Sequence, residues 1–337
     1  MRAVVLVGGE GTRMRPLTET IPKPLIPLVD RAFLHHVLDH LAAHGVHEVI
    51  LSSSYLEAAF AAFLEERHGD PRVTWITEET PLGTAGAIAN AARHLDDTFF
   101  VLNGDILTDL DLTALLAFHR ANGAIATITL EPVDDARPYG LVTLDADARV
   151  LEFREKPTDR MPGLINAGTY VLEPVAIRGV ATTRPVSIET EVFPGLISAR
   201  VPMYGYVADA YWMDLGTPEK YLRATFDALA GRVKGLSYAS PYLAGDAGID
   251  RGARLGQWVV AGPNTVVGDD AEVQDSVLLA GAVVGQGARV RGSILGPHSI
   301  VGRGAVVDGA VLAEGAGIPE GVTCEGARVG AGLVLEG

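Results

Sequence analysis

Cysteine is almost missing from this chain: Cys324 is the only one in 337 residues. A lone thiol excludes an intramolecular disulfide and a multi-cysteine metal site, and it suits a reducing compartment. Long apolar runs are missing as well. Although 48% of the residues are apolar, no run reaches the roughly 18 to 20 residues needed to cross a bilayer, so a globular protein without a membrane partner is expected. The chain passes from Met1 straight into the apolar stretch Ala3 to Val7. It lacks the basic region, longer apolar stretch and small-residue cleavage site of an export signal, which makes the cytoplasm the expected location. Positive charge is scarce. A formal net charge of −15 with no basic stripe repels a phosphate backbone and argues against nucleic acid. Lysine is scarcest of all: of 27 basic residues only Lys23, Lys156, Lys220 and Lys234 are lysines. A compact ammonium reaches a crowded phosphate where a planar guanidinium does not fit, so each lysine is a place to look for chemistry.

What is present falls into two textures, and the length suits two domains. Up to about Arg232, apolar strand-like runs alternate with helix-period segments. Ala3 to Val7, Glu48 to Ser52, Val73 to Thr77, Thr98 to Leu102 and Ala124 to Leu130 read as strands. Phe33 to His44, Leu56 to Arg67, Thr84 to His94 and Leu112 to Arg120 read as helices. Repeated βα units imply an α/β fold with a mainly parallel, Rossmann-like sheet covered on both faces.

From about Ile249 aromatics nearly vanish, glycine becomes dense, and an aliphatic or small residue recurs every six positions. The series is Ile249, Leu255, Ala261, Val267, Val273 and Leu279, then, with one-residue slips, Val284, Val290, Leu295, Val301, Val307, Leu312 and Ile318. Short strands separated by Gly-rich turns, with one inward residue per corner, build a parallel β-helix. The pattern resembles the hexapeptide repeat of left-handed β-helices. The expected division is a domain over 1–232, a Gly/Pro-containing linker over 233–248 and a left-handed β-helix over 249–337.

The first strand runs into Gly8, Gly9, Glu10, Gly11, Thr12, Arg13, Met14, Arg15, Pro16, Leu17 and Thr18, and Pro22-Lys23-Pro24 follows. Glycines after a strand let backbone N–H groups approach phosphate oxygens, and Arg13 adds a bidentate cation. A dinucleotide fingerprint does not fit, because its third glycine is replaced by Met14 and Pro16 breaks any helix. A P-loop does not fit either, since no Gly-Lys is followed by Ser or Thr. A mere tight turn explains one or two glycines but not the arginine and the flanked lysine.

With its Gly-Thr-Arg, Pro-Leu-Thr and Pro-Lys-Pro elements, the chain resembles the sugar-1-phosphate nucleotidylyltransferases, many of which carry a carboxy-terminal β-helix of this type. The resemblance assigns the nucleotide to the loop residues Gly8, Gly9, Gly11 and Thr12. Asn103-Gly104-Asp105 ends an apolar strand, and the resemblance makes Asp105 a nucleotide-site magnesium ligand. Trp212-Met213-Asp214-Leu215-Gly216-Thr217-Pro218 supplies the second, Asp214, since one carboxylate rarely holds Mg2+ alone. Asp111 reads instead as the cap of the helix at Leu112, Asp109 as structural, and Thr217 as the cap before Pro218. For the sugar phosphate, the resemblance implies Gly140 against the ring, Glu155 and Asn166 on hydroxyls, and Lys156 on the phosphate. Lys220 and Lys234 read as solvated helix or linker charges.

Thr80-Pro81-Leu82-Gly83-Thr84-Ala85-Gly86 is expected to line the base, with Gly83 in contact and Glu79 accepting from the guanine N–H edge; an ordinary helix start capped by Thr84 is the alternative. Its wording is closest to the guanylyltransferase branch, so GTP and mannose 1-phosphate lead as substrates. Glucose 1-phosphate or an unusual sugar or cyclitol phosphate with another triphosphate is the alternative. The histidines, including His35, His36, His40 and His44 on one helix, receive no catalytic or metal role. The implied reaction is in-line attack of the sugar phosphate on the α-phosphorus, with catalytic roles for Arg13, Lys23 and Lys156. Two other classes stand beside it: a non-catalytic sugar-nucleotide-binding scaffold, and an acyltransferase in the β-helix, whose only histidine is His298. A structural role and homo-oligomer contacts are expected of the β-helix.

Overall fold

The computed structural model describes residues 1–53, 57–67 and 69–336. The chain divides into two compact units, Met1–Gly9 with Leu34–Trp212 and Glu10–Phe33 with Met213–Gly337. Leu56, the expected start of the second helix, and Gly337, the expected end of the β-helix, lie outside the described residues.

In the first unit the elements follow the expected alternation: β1 (Arg2–Leu6), α1 (Phe33–Ala43), β2 (Glu48–Ser53), α2 (Glu57–Glu66), β3 (Arg72–Thr77), α3 (Gly83–Ala91), β4 (Phe99–Asn103) and α4 (Leu112–Ala121). After them come β5 (Ala126–Val133), β6 (Gly140–Leu144), β7 (Val150–Glu155), β8 (Gly163–Leu172), α5 (Phe193–Ser198) and β9 (Met203–Val207). The sheet order is β7-β6-β8-β4-β1-β2-β3, with β5 beside β8 and β9 beside β5. β3, β2, β1 and β4 run parallel, and β8 pairs antiparallel with β4, β5 and β6. The parallel core strands read as continuous apolar runs because both faces are covered: Ala3, Val4 and Val5 are fully buried, as are Phe99 and Val101. All four parallel strands end at the same edge, where the chain turns through Gly8, Glu78 and Gly104. Open α/β sheets bind ligands along such an edge.

In the second unit, Pro16 and Pro24 leave residues 12–25 as three short 3₁₀ turns, Thr12–Met14, Leu17–Glu19 and Lys23–Leu25. Helix α6 (Pro218–Leu229) follows, capped by Thr217, whose hydroxyl accepts from the Lys220 N–H. Strands then deal in turn into three parallel sheets, each strand pairing with the third one before it. The rise per coil is 18 residues at Gly248↔Val266 and Arg254↔Glu272, then 17 at Val266↔Val283 and Glu272↔Arg289. That shortening is the one-residue slip in the sequence pattern. Ala261, Val267, Val273, Val284, Val290, Leu295, Val301, Val307, Leu312 and Ile318 are buried as expected. The slip falls one residue earlier than expected: Leu278, rather than Leu279, stands in register with Ala261 and Leu295. Strand Tyr242–Leu243 lies within the segment expected to be a linker, yet it pairs with the next coil and is already part of the stack, while strand Gly248–Ile249 begins at the expected boundary. No helix among the described residues is long and apolar enough to cross a membrane.

Candidate active site

A cavity of about 230 Å³ opens at the strand-end edge of the first unit, lined by Leu6, Gly8, Gly9, Ser52, Glu78, Pro81, Gly83, Thr84 and Ala87. Gly8, Gly9 and Gly83, all expected at the nucleotide, line this one cavity. Gly9 has φ 131°, a conformation that side chains rarely adopt. Glu79 does not line this cavity. The pairing of β2 with β3 continues one residue past Thr77, with the Glu78 N–H donating to Ser53 O at 3.1 Å. Glu78 is thereby turned inward and buried, and Glu79 is left exposed. Both Glu78 oxygens are engaged: Oε1 accepts from the Ser52 hydroxyl at 2.8 Å and Oε2 from the Leu82 N–H at 2.9 Å. Each oxygen keeps a second lone pair for a ligand.

Helix α3 does not begin as an ordinary capped helix. Thr84 does not cap it. Its hydroxyl donates to Glu189 Oε2 at 2.8 Å and accepts from the Ile188 N–H. The Val186 carbonyl instead accepts from the N–H groups of Ala85 and Gly86. A Cβ on Gly83, already at φ 70°, would stand 2.6 Å from that carbonyl, so the glycine serves the packing of this turn as well as the cavity.

The expected sugar-side residues gather on β6, β7 and β8 of the same unit. A Cβ on Gly140 would meet the Phe153 ring at 2.4 Å and Glu155 Oε2 at 3.1 Å, so this backbone lies flat beneath the carboxylate. Burial raises the Glu155 carboxyl above its ordinary range, and Glu189 adds to the shift while Lys156 opposes it. Lys156 Nζ is 3.5 Å from Glu155 Oε1, and its side chain is 68% exposed, free to meet an incoming anion. Asn166 is partly spent on structure, donating to the Tyr170 hydroxyl at 2.9 Å and accepting from the Gly168 N–H at 3.0 Å. Asp105 follows β4 directly, half-buried. Asp109 and Asp111 are structural, as expected: Asp109 Oδ1 accepts from the Tyr211 N–H at 2.7 Å, and Asp111 caps α4 through the Ala114 N–H.

The second unit carries a cationic cluster around one buried acid. Asp214 Oδ2 accepts from Lys220 Nζ at 2.8 Å, and Oδ1 lies 4.0 Å from Lys23 Nζ. A Cβ on Gly216 would stand 2.7 Å from both Asp214 Oδ1 and Arg13 Nη2, so only a glycine fits between the two side chains. Gly11, at φ 58°, closes this segment by approaching Thr18 and the Lys23 side chain. Thr12 is exposed on the first 3₁₀ turn. Lys220 is thus no solvated helix charge: the first turn of α6 brings its ammonium back onto Asp214. Lys23 and Lys220 thus both approach this carboxylate, with Arg13 close by at Gly216, a grouping of cations suited to polyphosphate.

Among the described residues no three His, Cys, Asp or Glu side chains gather as a metal-binding group. The candidate donors are single carboxylates, Asp105 and Asp214, and not a preformed set of ligands. They fit a hard divalent ion that takes its remaining oxygens from water and substrate phosphates, and not one held in an all-protein cage.

The sequence model of the family described as "Nucleotidyl transferase" matches residues 2–231, and that of the "GMPPB C-terminal domain" matches residues 239–332. The mannose-1-phosphate guanylyltransferase of Mycobacterium tuberculosis is 43% identical over 290 residues, covering 83% of this chain and 78% of that protein. Mannose-1-phosphate guanylyltransferase 1 of Arabidopsis thaliana is 36% identical over 290 residues, covering 83% and 80%. Among solved structures, HddC from Yersinia pseudotuberculosis is similar with a TM-score of 0.59 at 31% identity, over 66% of this chain and 97% of that one, and the same protein has been crystallised with GMP-PN. Enzymes of this family generally use a divalent metal. The strand-end cavity, the cation cluster and these likenesses agree: the chain belongs to the nucleotidyl transferase family and is an enzyme of that class.

Proposed function

We propose that the chain transfers the guanylyl group of GTP to mannose 1-phosphate, releasing pyrophosphate. The observation that carries the reading is the approach of Lys23 and Lys220 to the buried Asp214, with Arg13 close by at Gly216, a charge pattern suited to a metal-bound polyphosphate. The names of the relatives at 36–43% identity support the choice of base and sugar. Guanine fits this reading because Glu78, which lines the cavity, has acceptor oxygens to offer its N–H edge. Glu78 thus takes the part first given to Glu79.

A sugar phosphate is already ionised at neutral pH, so no general base is required, and catalysis is positioning plus charge neutralisation. Lys156 orients the attacking phosphate oxygen, while Glu155, Asn166 and Gly140 hold the sugar. Lys23 offsets charge at the α-phosphorus as the bond to the leaving oxygen breaks, and Arg13 holds the departing pyrophosphate. The loop residues Gly8, Gly9, Gly11 and Thr12, with Gly83, take up the nucleotide. Mg2+ is the ion of this reading, assigned to Asp105 and Asp214 by their motifs; when bound it lowers the charge on the phosphate oxygens.

Release of pyrophosphate from the four common triphosphates, each paired with several sugar 1-phosphates, tests this directly. The expected result is a kcat/KM maximum at GTP with mannose 1-phosphate. A maximum at another pair overturns the substrate assignment, and no turnover by the purified chain favours a binding scaffold. Self-association through the β-helix belongs to the same reading, supported by the exposed aliphatic residues Val266 and Ile300 on one sheet. Light scattering on Ile300→Lys, which should shift the mass toward the monomer, tests it.

A further inference from the structure

We propose that Lys220 is a resident counter-cation for Asp214: it occupies the carboxylate while substrate is absent and yields it when a divalent ion arrives with substrate phosphate. This rests on the reading of Asp214 as a metal ligand.

Lys220 stands where helix chemistry disfavours it. Thr217 is the cap of α6 and Pro218 its first residue, which makes Lys220 the third helical position. That position prefers Glu or Gln, which close a capping box, and the positive end of the helix repels an ammonium. The lysine is nevertheless there, and its Nζ reaches Asp214 Oδ2 at 2.8 Å. The acid is buried and needs a partner, since an unpaired buried carboxylate is costly. Lys23, at 4.0 Å, is too far to hydrogen-bond it. The Lys220 side chain is 32% exposed, and its stem is flexible enough to carry the charge away.

The oxygen that Lys220 engages is one a divalent ion would take, so ammonium and metal compete for it. A triphosphate arriving with the ion offers the displaced ammonium an anion of higher charge. Metal binding at Asp214 is thereby made conditional on the nucleotide, while the bare protein holds the ion weakly.

The test is titration of Mn2+ alone into the nucleotide-free protein, followed by the EPR signal of free Mn2+, for wild type, Lys220→Met, Lys220→Arg and Asp214→Asn, with circular dichroism confirming the fold of each. Lys220→Met should bind Mn2+ roughly tenfold more tightly than wild type, and GTP should then enhance Mn2+ binding less, by a factor within the usual range of ligand coupling. Lys220→Arg, whose fork grips a carboxylate firmly, should bind as wild type or more weakly. Unchanged or weaker Mn2+ binding in Lys220→Met, or tighter binding in Lys220→Arg, overturns the proposal. Asp214→Asn separates the two layers. If it loses Mn2+ binding, the ligand reading stands and the lysine variants decide; if it binds as wild type, that reading falls and the counter-cation role falls with it.

Discussion

Two buried acids, one in each compact unit, are held in opposite ways. Glu78 is fixed by neutral donors, a hydroxyl and a backbone N–H, whereas Asp214 is attended by side-chain cations. Neutral donors fix a carboxylate in place and leave its charge intact, which suits reading a ligand edge by hydrogen bonds. Cations cancel the charge and can be exchanged for another cation, which suits a group that handles metal and phosphate. The difference is that between recognition and reaction.

Removing the exchanged charge should have the largest effect. Asp214→Asn and Lys23→Ala are expected to lower kcat by roughly two or more orders of magnitude, the scale of losing one charge-stabilising group, in proteins that keep their circular dichroism spectra. Near-normal turnover in Lys23→Ala removes that lysine from the mechanism.

A third way of burying a polar group sharpens the contrast. His40 Nε2 is buried with no hydrogen-bond partner among the described residues. Burial, with His44 beside it, holds the ring pKa down at about 4, against the opposing pull of Asp109 and Asp111. The unfolded chain takes up a proton near pH 6.5 and the folded one does not until about pH 4, so stability falls as pH drops through that window. The loss is at most about 3 kcal/mol, less what partial exposure returns. Urea unfolding between pH 7 and 4.5 measures it, and His40→Leu should flatten the slope; an unchanged slope assigns the acid sensitivity elsewhere.

Glu78→Gln should raise KM for GTP about tenfold, the worth of one charged hydrogen bond, with kcat little changed. A fall in kcat like that of Asp214→Asn would erase the distinction between the two acids. Smallest of all, the solvent-exposed Arg254–Glu272 pair joins neighbouring coils of the β-helix. Its removal by Arg254→Ala should leave Tm unchanged in a thermal melt, as screened surface pairs do.

Much of this was legible in the sequence because the patterns were long. The apolar runs of β1 and β4 have only one use, and a six-residue phase sustained over many coils fixes which residues turn inward. The signature from Gly8 to Lys23 and the motifs around Asp105 and Asp214 carried the reaction class. What stayed hidden depended on a single residue of phase or on a chain reversal. Whether Glu78 or Glu79 faces inward is decided by one more backbone pairing past the end of β3. The slip at Leu278 is a loss of one residue in a turn. Lys220 looked solvated because its meeting with Asp214 requires the first turn of α6 to lie back over the segment before it. The scarcity of lysine was the available clue.

The Val186 carbonyl closing the start of α3 has an evolutionary consequence. With those amide donors already committed, the start of α3 does not serve as a phosphate cradle, and anion binding there falls to the glycine loop and to side-chain cations. A receptor built from side chains can be altered by single substitutions that leave the backbone of the scaffold in place.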